Sequence, residues 1–318
     1  MSDYALDLVV PCYNEEDVLP QTVPVMLTHL RSLAADPELN LNRFRILLVN
    51  DGSVDGTWPV IEALARENPE VVGVRLSRNF GHQNALLAGL HEVTADVCVS
   101  MDCDLQDDIG VIKSMLLVYQ RGTDLALGVR NDRSSDSSGK RRTANAYYRL
   151  LSLMGVRIIE NHADFRMMSR RALAALLEHS EVNLFLRGLI PTLGFSVTLI
   201  PYKRMSRTLG ETKYTLRKMI RLAIDGVTSF SIAPLRAVAI LGTCVFALST
   251  GAGLYFLMER LLNPQSVTPG WASTVLPLLF LGGVQILSIG VLGEYIGKIY
   301  MEVKRRPRFI IQERTKDG

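Results

Sequence analysis

Ala95-Asp96-Val97-Cys98-Val99-Ser100-Met101-Asp102-Cys103-Asp104 is the stretch on which the reading of this chain turns. From Ala95 to Met101 it is short and mostly apolar, the mark of a buried strand. It ends in two carboxylates one residue apart, Asp102 and Asp104, where a strand opens into a loop. Both can turn toward one hard cation. Mg2+ and Mn2+ take oxygen ligands, and Mg2+ is commonly held by one or two carboxylates together with substrate phosphates. The stretch therefore predicts a metal–diphosphate site at the C-terminal edge of an α/β sheet. An Asp-x-Asp on a loop is by itself more often solvated charge, so the rest of the chain has to carry the reading.

The chain upstream repeats the pattern. Leu6 to Val10 reads as a strand that stops at Pro11, and Glu15 to Leu33 as an amphipathic helix. Arg45 to Val49 is a second strand, ended by Asn50-Asp51-Gly52-Ser53, and Val60 to Glu67 a second helix. Val71 to Leu76 is a third strand, and His82 to Val93 a helix that leads into the Asp96 to Met101 strand. Such a β-α-β-α-β-α-β series implies a mostly parallel, Rossmann-like sheet with right-handed crossovers. Ligands in such sheets bind outside the carboxyl ends of the strands. Pro11 to Glu15, Asp51 to Ser53 and Asp102 to Asp104 all fall there, which argues for a nucleotide and a metal on one edge. No Gly-x-Gly-x-x-Gly and no Gly-Lys-Ser/Thr occurs, so neither a dinucleotide fingerprint nor a P-loop is supported.

The second half of the chain differs. Of the 318 residues 48% are hydrophobic and the mean hydropathy is +0.17, high for a purely soluble protein. The excess lies in Leu235 to Met258, with one charge at Arg236, and in Trp271 to Leu292, with none. A membrane span needs roughly 20 mostly apolar residues, so two transmembrane helices are expected, at about 235–258 and 271–295 within 233–300. Neither is N-terminal, and the chain starts directly on a strand pattern, so no export signal is expected. Lys213, Arg217, Lys218 and Arg221 precede the first span, and Lys298, Lys304, Arg305, Arg306 and Arg308 follow the second; the connector Glu259 to Gly270 has only Arg260. The positive-inside rule places both ends in the cytoplasm, at the cell membrane. Residues 1–212 are then the catalytic domain, 213–232 amphipathic juxtamembrane helices and 301–318 a basic cytoplasmic tail. The net charge of +3 is modest and the basic clusters flank the spans, which favours anionic headgroups over nucleic acid. Gly242, Gly251, Gly253, Gly282 and Gly283 allow close helix contact, so a homo-oligomer is expected. Cys12, Cys98, Cys103 and Cys244 show no metal spacing and read as reduced and structural; five histidines without a metal-type pair argue against zinc.

Three runs resemble family 2 glycosyltransferases of the GT-A fold: Val10-Pro11-Cys12-Tyr13-Asn14-Glu15-Glu16, Val49-Asn50-Asp51-Gly52-Ser53-x-Asp55-Gly56-Thr57 and Met101-Asp102-Cys103-Asp104-Leu105-Gln106-Asp107. Later runs narrow the resemblance to polyprenyl-phosphate glycosyltransferases, relatives of dolichyl-phosphate mannose synthase. These are Leu76-Ser77-Arg78-Asn79-Phe80-Gly81-His82-Gln83, Gly128-Val129-Arg130-x-x-Arg133, Lys140-Arg141, Ala163-Asp164-Phe165-Arg166 and Arg207-x-x-Gly210-Glu211-Thr212-Lys213-Tyr214. The nearest group carries two C-terminal spans and commonly makes glucosyl-phospho-polyprenol. The chain departs from the family at Asn161, where an Asp is frequent, and at Cys103, where Ala is usual.

The resemblance implies an inverting, metal-dependent hexosyltransferase moving a sugar, glucose foremost, from a UDP-sugar to polyprenyl phosphate at the membrane. Pro11, Tyr13 and Glu15 would line the uridine pocket, and Asp51 would accept from base or ribose, although Asp51-Gly52-Ser53 also reads as a turn before a helix. Asp102 and Asp104 would hold Mg2+ or Mn2+ on the diphosphate. Gln106 would touch metal or sugar, or stand beside a helix cap. Arg130, Arg133, Lys140 and Arg141, in a Ser-rich polar stretch that reads as a loop, would bind the acceptor phosphate. Asp164 would face donor sugar or acceptor, for positioning as readily as for base catalysis. Arg207 would clamp the donor and Lys213 the acceptor phosphate. The alternatives are a processive polysaccharide synthase, whose Gln-x-x-Arg-Trp motif matches neither Trp58 nor Trp271, and a non-catalytic membrane scaffold.

Overall fold

A computed structural model describes residues 3–130, 162–179, 181, 186–203, 233–262 and 271–315. The described residues up to 203, with those from 306 onward, form one compact unit; those from 233 to 305 belong to a second.

In the first unit eight strands make one sheet: β1 (Tyr4–Cys12), β2 (Leu41–Asn50), β3 (Val71–Leu76), β4 (Val97–Ser100), β5 (Leu125–Arg130), β6 (His162–Ser169), β7 (Val197–Tyr202) and β8 (Ile311–Arg314). Their order is β7-β5-β6-β4-β1-β2-β3-β8. β1 pairs in parallel with β2 and β4, and β2 with β3, as the βα repeat predicts. Helices α1 (Leu19–Ala34), α2 (Thr57–Glu67), α3 (His82–His91) and α4 (Val111–Gln120) make the crossovers.

Every residue of β1 is buried, because helices cover both sheet faces. Leu6, Leu8 and Val10 join Ile46 and Leu48 under α1, α2 and α4. Val9 joins Leu47, Val49 and Val74 under α3 and under α5 (Arg170–Leu177). Helix α3 lies so close that a Cβ on Gly89 would come within 2.4 Å of Val9 and 2.7 Å of Val49. At the opposite edge from the candidate site, buried Asp7 is held by Arg45 at 2.8 and 2.7 Å and by the amides of Thr94 and Ala95.

Two strands run against the rest. β6 is antiparallel to both β4 and β5, so its N-terminal end lies beside the C-terminal end of β4. β8 is antiparallel to β3. The sequence reading ends the catalytic domain at 212 and treats 301–318 as a tail; residues 311–314 are instead the outermost strand of the catalytic sheet. Their partner lies about 240 residues earlier, a pairing that no local pattern reveals. Thr315 brackets Gly73, donating from its amide at 3.0 Å and accepting at its hydroxyl from the Gly73 amide at 2.8 Å. Arg75 pairs with Glu313 and Arg314 with Glu92. Arg308 donates to the carbonyls of His179 (3.0 Å) and Glu181 (3.2 Å), just beyond α5.

The second unit contains α7 (Ala233–Leu262) and α8 (Trp271–Val303), separated from α5 in sequence by the short α6 (Leu186–Leu189) and β7. Both are long and apolar enough to cross a membrane, over Leu235–Ala252 and Phe280–Val303. Large apolar side chains such as Ile240, Leu248, Leu254, Leu278 and Ile286 are exposed on them.

Removal of residues 308–318 should uncover the β3 edge and lower the Tm of the detergent-solubilised protein by about 5 °C or more. Thermal unfolding checks this; an unchanged Tm would show that β8 adds nothing to the sheet.

Candidate active site

The C-terminal edge of the sheet collects three loops. The loops after β1 and β2 are stitched together. The Asn14 amide donates to Ser53 at 2.9 Å, the Glu15 amide to Thr57 at 2.8 Å, and the Gly56 amide to Glu16 at 2.6 Å. Pro11 is buried, Glu15 is half-buried, and Tyr13 stands out at 44% exposure. Gly52 has a φ of +61°, and a Cβ there would lie 2.2 Å from the backbone of Arg78, so the turn after β2 tolerates only glycine.

Asp51 is buried rather than displayed. Its carboxylate accepts from the amides of Phe80 (2.7 Å) and Gly81 (2.9 Å), the turn that opens α3. Burial pushes its pKa up, against the pull of those two amides and of His82 and Arg78.

After β4 the chain runs through Asp102, Cys103 and Asp104 to Leu105, which adopts a left-handed φ of 51°. A bulky residue in that region is uncommon and marks a loop held by its surroundings. The Gln106 amide donates to Asp104 at 3.2 Å. The Cys103 thiol is pushed well up, by contact with Cys12 and by burial, so it stays protonated and leaves the ligand set to oxygen. Among the described residues no group of three or more His, Cys, Asp or Glu side chains is arranged to hold a metal. Two carboxylates on a strained loop nonetheless fit Mg2+ or Mn2+, ions whose remaining ligands are phosphate oxygens and water.

Asp164 reaches this edge because β6 is antiparallel. In register Ser100 faces Arg166, and the Ser100 hydroxyl donates to the Asp164 carbonyl at 2.6 Å. The Asp164 carboxylate is gripped from several sides. Arg166, which has no exposed surface, donates to it; Arg187 on α6 forks it at 3.2 and 2.7 Å; His82 Nε2 lies 3.5 Å away. Burial works to raise its pKa, but Arg166, His82 and Arg187 outweigh burial and hold it well below the usual carboxylate range. Asp102 goes the other way. Burial and the neighbouring carboxylates Asp164, Asp107 and Asp104 raise it, against His82, whose Nε2 is 3.6 Å from it.

Arg130 does not present a free head. Its Nε donates to the Tyr202 hydroxyl at 3.1 Å and its Nη2 to buried Asp107 at 3.2 Å, while Tyr202 also donates to Asp107. The cluster ties the end of β5 to the loop after Asp104. Arg133, Lys140, Arg141, Arg207 and Lys213 lie outside the described residues.

The edge thus brings together Asp51, Asp102, Asp104, Gln106 and Asp164. Sequence reasoning gives no role to His82, Asp107, Arg166, Arg187 or Tyr202. His82, Asp107 and Arg166 stand inside quoted motifs, which is a usable signal; nothing local marks Arg187 or Tyr202.

A mixed α/β sheet with an acidic strand-end loop is the architecture expected of the glycosyltransferases that the sequence motifs resemble. The chain belongs to glycosyl transferase family 2, whose signature matches residues 7–177; a second signature, the GtrB C-terminal hairpin, matches 233–299. It is 45% identical over 312 residues to the uncharacterized glycosyltransferase YkoT of Bacillus subtilis, covering 98% of this chain and 92% of that one. It is 39% identical over 310 residues to the bactoprenol glucosyl transferase of Shigella phage SfX, covering 97% and 99%. It is 38% identical over 308 residues to a prophage bactoprenol glucosyl transferase homolog of Escherichia coli, covering 96% and 98%.

Asp164→Asn should destabilise the protein as well as inactivate it, because Arg166 would be left buried without a counter-charge, at a cost of about 3–5 kcal/mol. Since the folded-state pKa of Asp164 is depressed, its stabilisation is complete above the ordinary carboxylate range and is lost as pH falls through the depressed value. Thermal melts of wild type and Asp164→Asn should therefore converge in acid; a constant Tm difference down to that range would refute the assignment.

Proposed function

We propose that the protein transfers glucose from UDP-glucose to a polyprenyl phosphate at the cytoplasmic membrane face, with inversion at C1 and dependence on Mg2+ or Mn2+. The observation that carries this is the meeting of the Asp102–Asp104 loop with Asp164 at one sheet edge. The glucosyl and bactoprenol parts draw on the names of the relatives.

Asp102 and Asp104 would hold the divalent cation on the donor diphosphate, and a bound cation there offsets the charge gathering on the departing UDP. The acceptor is a phosphate, ionised at neutral pH. Its oxygen attacks C1 from the face opposite the leaving group, the C1–O bond to UDP breaks, and no proton has to be removed. Asp164 matches that need: a carboxylate held far below neutral by two arginines and a histidine is a poor base and a well-fixed hydrogen-bond acceptor for a sugar hydroxyl. With Arg130 engaged by Asp107 and Tyr202, the acceptor phosphate falls to Arg133, Lys140, Arg141 and Lys213, with Arg207 on the donor side. Pro11, Tyr13 and Glu15 line the base, and Asp51 supports the pocket through the Phe80–Gly81 turn.

The membrane arrangement follows from chain order. β8 belongs to the catalytic sheet, so the chain that leaves after β7 has to return to the same side, and two crossings by α7 and α8 satisfy this. The basic residues flanking the hairpin support the cytoplasm for that side. Gly242, Gly251, Gly282 and Gly283 face open space in the single chain, leaving room for a second copy.

Purified protein in lipid should convert UDP-glucose and polyprenyl phosphate to glucosyl-phospho-polyprenol, in preference to other nucleotide sugars. Excess EDTA and Asp104→Ala should each abolish transfer, and Mn2+ should restore only the former. Turnover persisting in EDTA would overturn the metal assignment, and preference for another donor would overturn the sugar. For topology, in a Cys244→Ser background, Gln265→Cys should react with an impermeant thiol reagent from outside intact cells and Asp317→Cys should not; labelling of both would refute the two-crossing arrangement.

A further inference from the structure

The first turn of α3 is linked to Asp51, Asp102, Asp164 and the short helix that carries Arg187. Its lead-in, Phe80–Gly81, is fixed by Asp51 at the end of β2. Gly81 has a φ of +91°, which swings the chain so that the next residue starts the helix at the sheet edge. That residue, His82, puts Nε2 between two carboxylates on different strands, 3.6 Å from Asp102 beyond β4 and 3.5 Å from Asp164 on β6. Gln83 then accepts from the Leu186 amide at 3.3 Å, at the start of the short helix that carries Arg187 back to Asp164.

Without a donor between them, Asp102 and Asp164 would be two like charges facing each other across the site. Arg166 and Arg187 grip Asp164. His82 lies at ion-pair distance from both. At 3.5–3.6 Å these contacts are longer than tight hydrogen bonds and within ion-pair reach. The side chain is 46% exposed, so it lines the site instead of filling core.

We propose that His82 is a positioning residue for the glycosyl transfer, setting the spacing between the metal-side carboxylate Asp102 and the sugar-side carboxylate Asp164, with Asp51 as its anchor. This rests on the glycosyltransferase reading of the same site. The nucleotide end and the reaction centre are then joined through one helical turn: Asp51 holds Phe80–Gly81, the turn presents His82, and His82 aligns Asp164 with Asp102. A misplacement of about 1 Å at a reacting centre can cost about 100-fold in rate, so loss of this bridge is expected in kcat more than in donor binding.

Two variants separate alignment from packing. His82→Leu keeps the bulk and removes the donor; His82→Gln keeps an N–H at similar reach. Three quantities are measured on full-length protein in lipid: kcat and KM for UDP-glucose, the Kd for UDP with Mn2+ by calorimetry, and Tm. The expected result for His82→Leu is a kcat loss of about 30- to 100-fold, with UDP·Mn2+ affinity within about threefold and an unchanged Tm. His82→Gln should recover most of the kcat. A wild-type kcat in His82→Leu would overturn the proposal. So would a parallel loss of UDP·Mn2+ binding, which would make His82 a donor contact, or equal damage in both variants with a lowered Tm, which would make it structural. A wild-type protein that binds UDP·Mn2+ but transfers no sugar would instead defeat the underlying reading of the site.

Discussion

Arg166 is a guanidinium with no exposed surface, and its charge is tolerable there only because Asp164 lies against it. The arrangement of the site depends on that pair. An isolated buried charge costs far more than a domain's net stability, so β6 has to place residues 164 and 166 together with their side chains converging. A strand normally sends residues i and i+2 to the same face, and β6 uses this to make an ion pair within one strand. Its antiparallel course beside β4 then delivers the pair to the edge where Asp102 emerges. The carboxylate is fixed before any ligand arrives, which is what a positioning group needs.

The same electrostatics sort the acidic residues into roles. Asp164 is over-supplied with cations and stays ionised. Asp102 is crowded by other carboxylates and is raised, which leaves it short of positive charge. A divalent cation would supply what Asp102 lacks and Asp164 already has. Arg130 illustrates the converse. A basic residue read as a phosphate ligand is bonded to Asp107 and Tyr202, and so steadies the loop that carries Asp104 and Gln106.

The catalytic sheet is closed by the end of the chain. The apolar hairpin is therefore an insertion between β7 and β8, not an appendage. Bonds from Arg308 and Thr315 link the segment after α8 to the residues just beyond α5 and to β3, so the first unit is complete only when the chain has returned from the second.

Much of this was legible in the residues. The alternating apolar runs placed β1 to β4 and α1 to α3, matching β3 at both ends and missing other ends by up to four residues, because both-face burial and amphipathic periodicity are local properties. Two long apolar runs, nearly free of charge, marked α7 and α8 for the same reason. Asp102, Asp104 and Asp164 could be picked out from motif context. What the chain alone could not show is which groups oppose which. The direction of β6, the docking of β8 on β3, the burial of Arg166, the engagement of Asp51 and Arg130, and the bridging place of His82 all come from contacts between residues tens to hundreds of positions apart. Sequence determined which segments were strands, helices and acidic loops, since those follow from neighbours a few residues away. Only the tertiary structure decided which carboxylate is surrounded by cations and which by other carboxylates, because a charge takes its chemical character from what the fold packs around it.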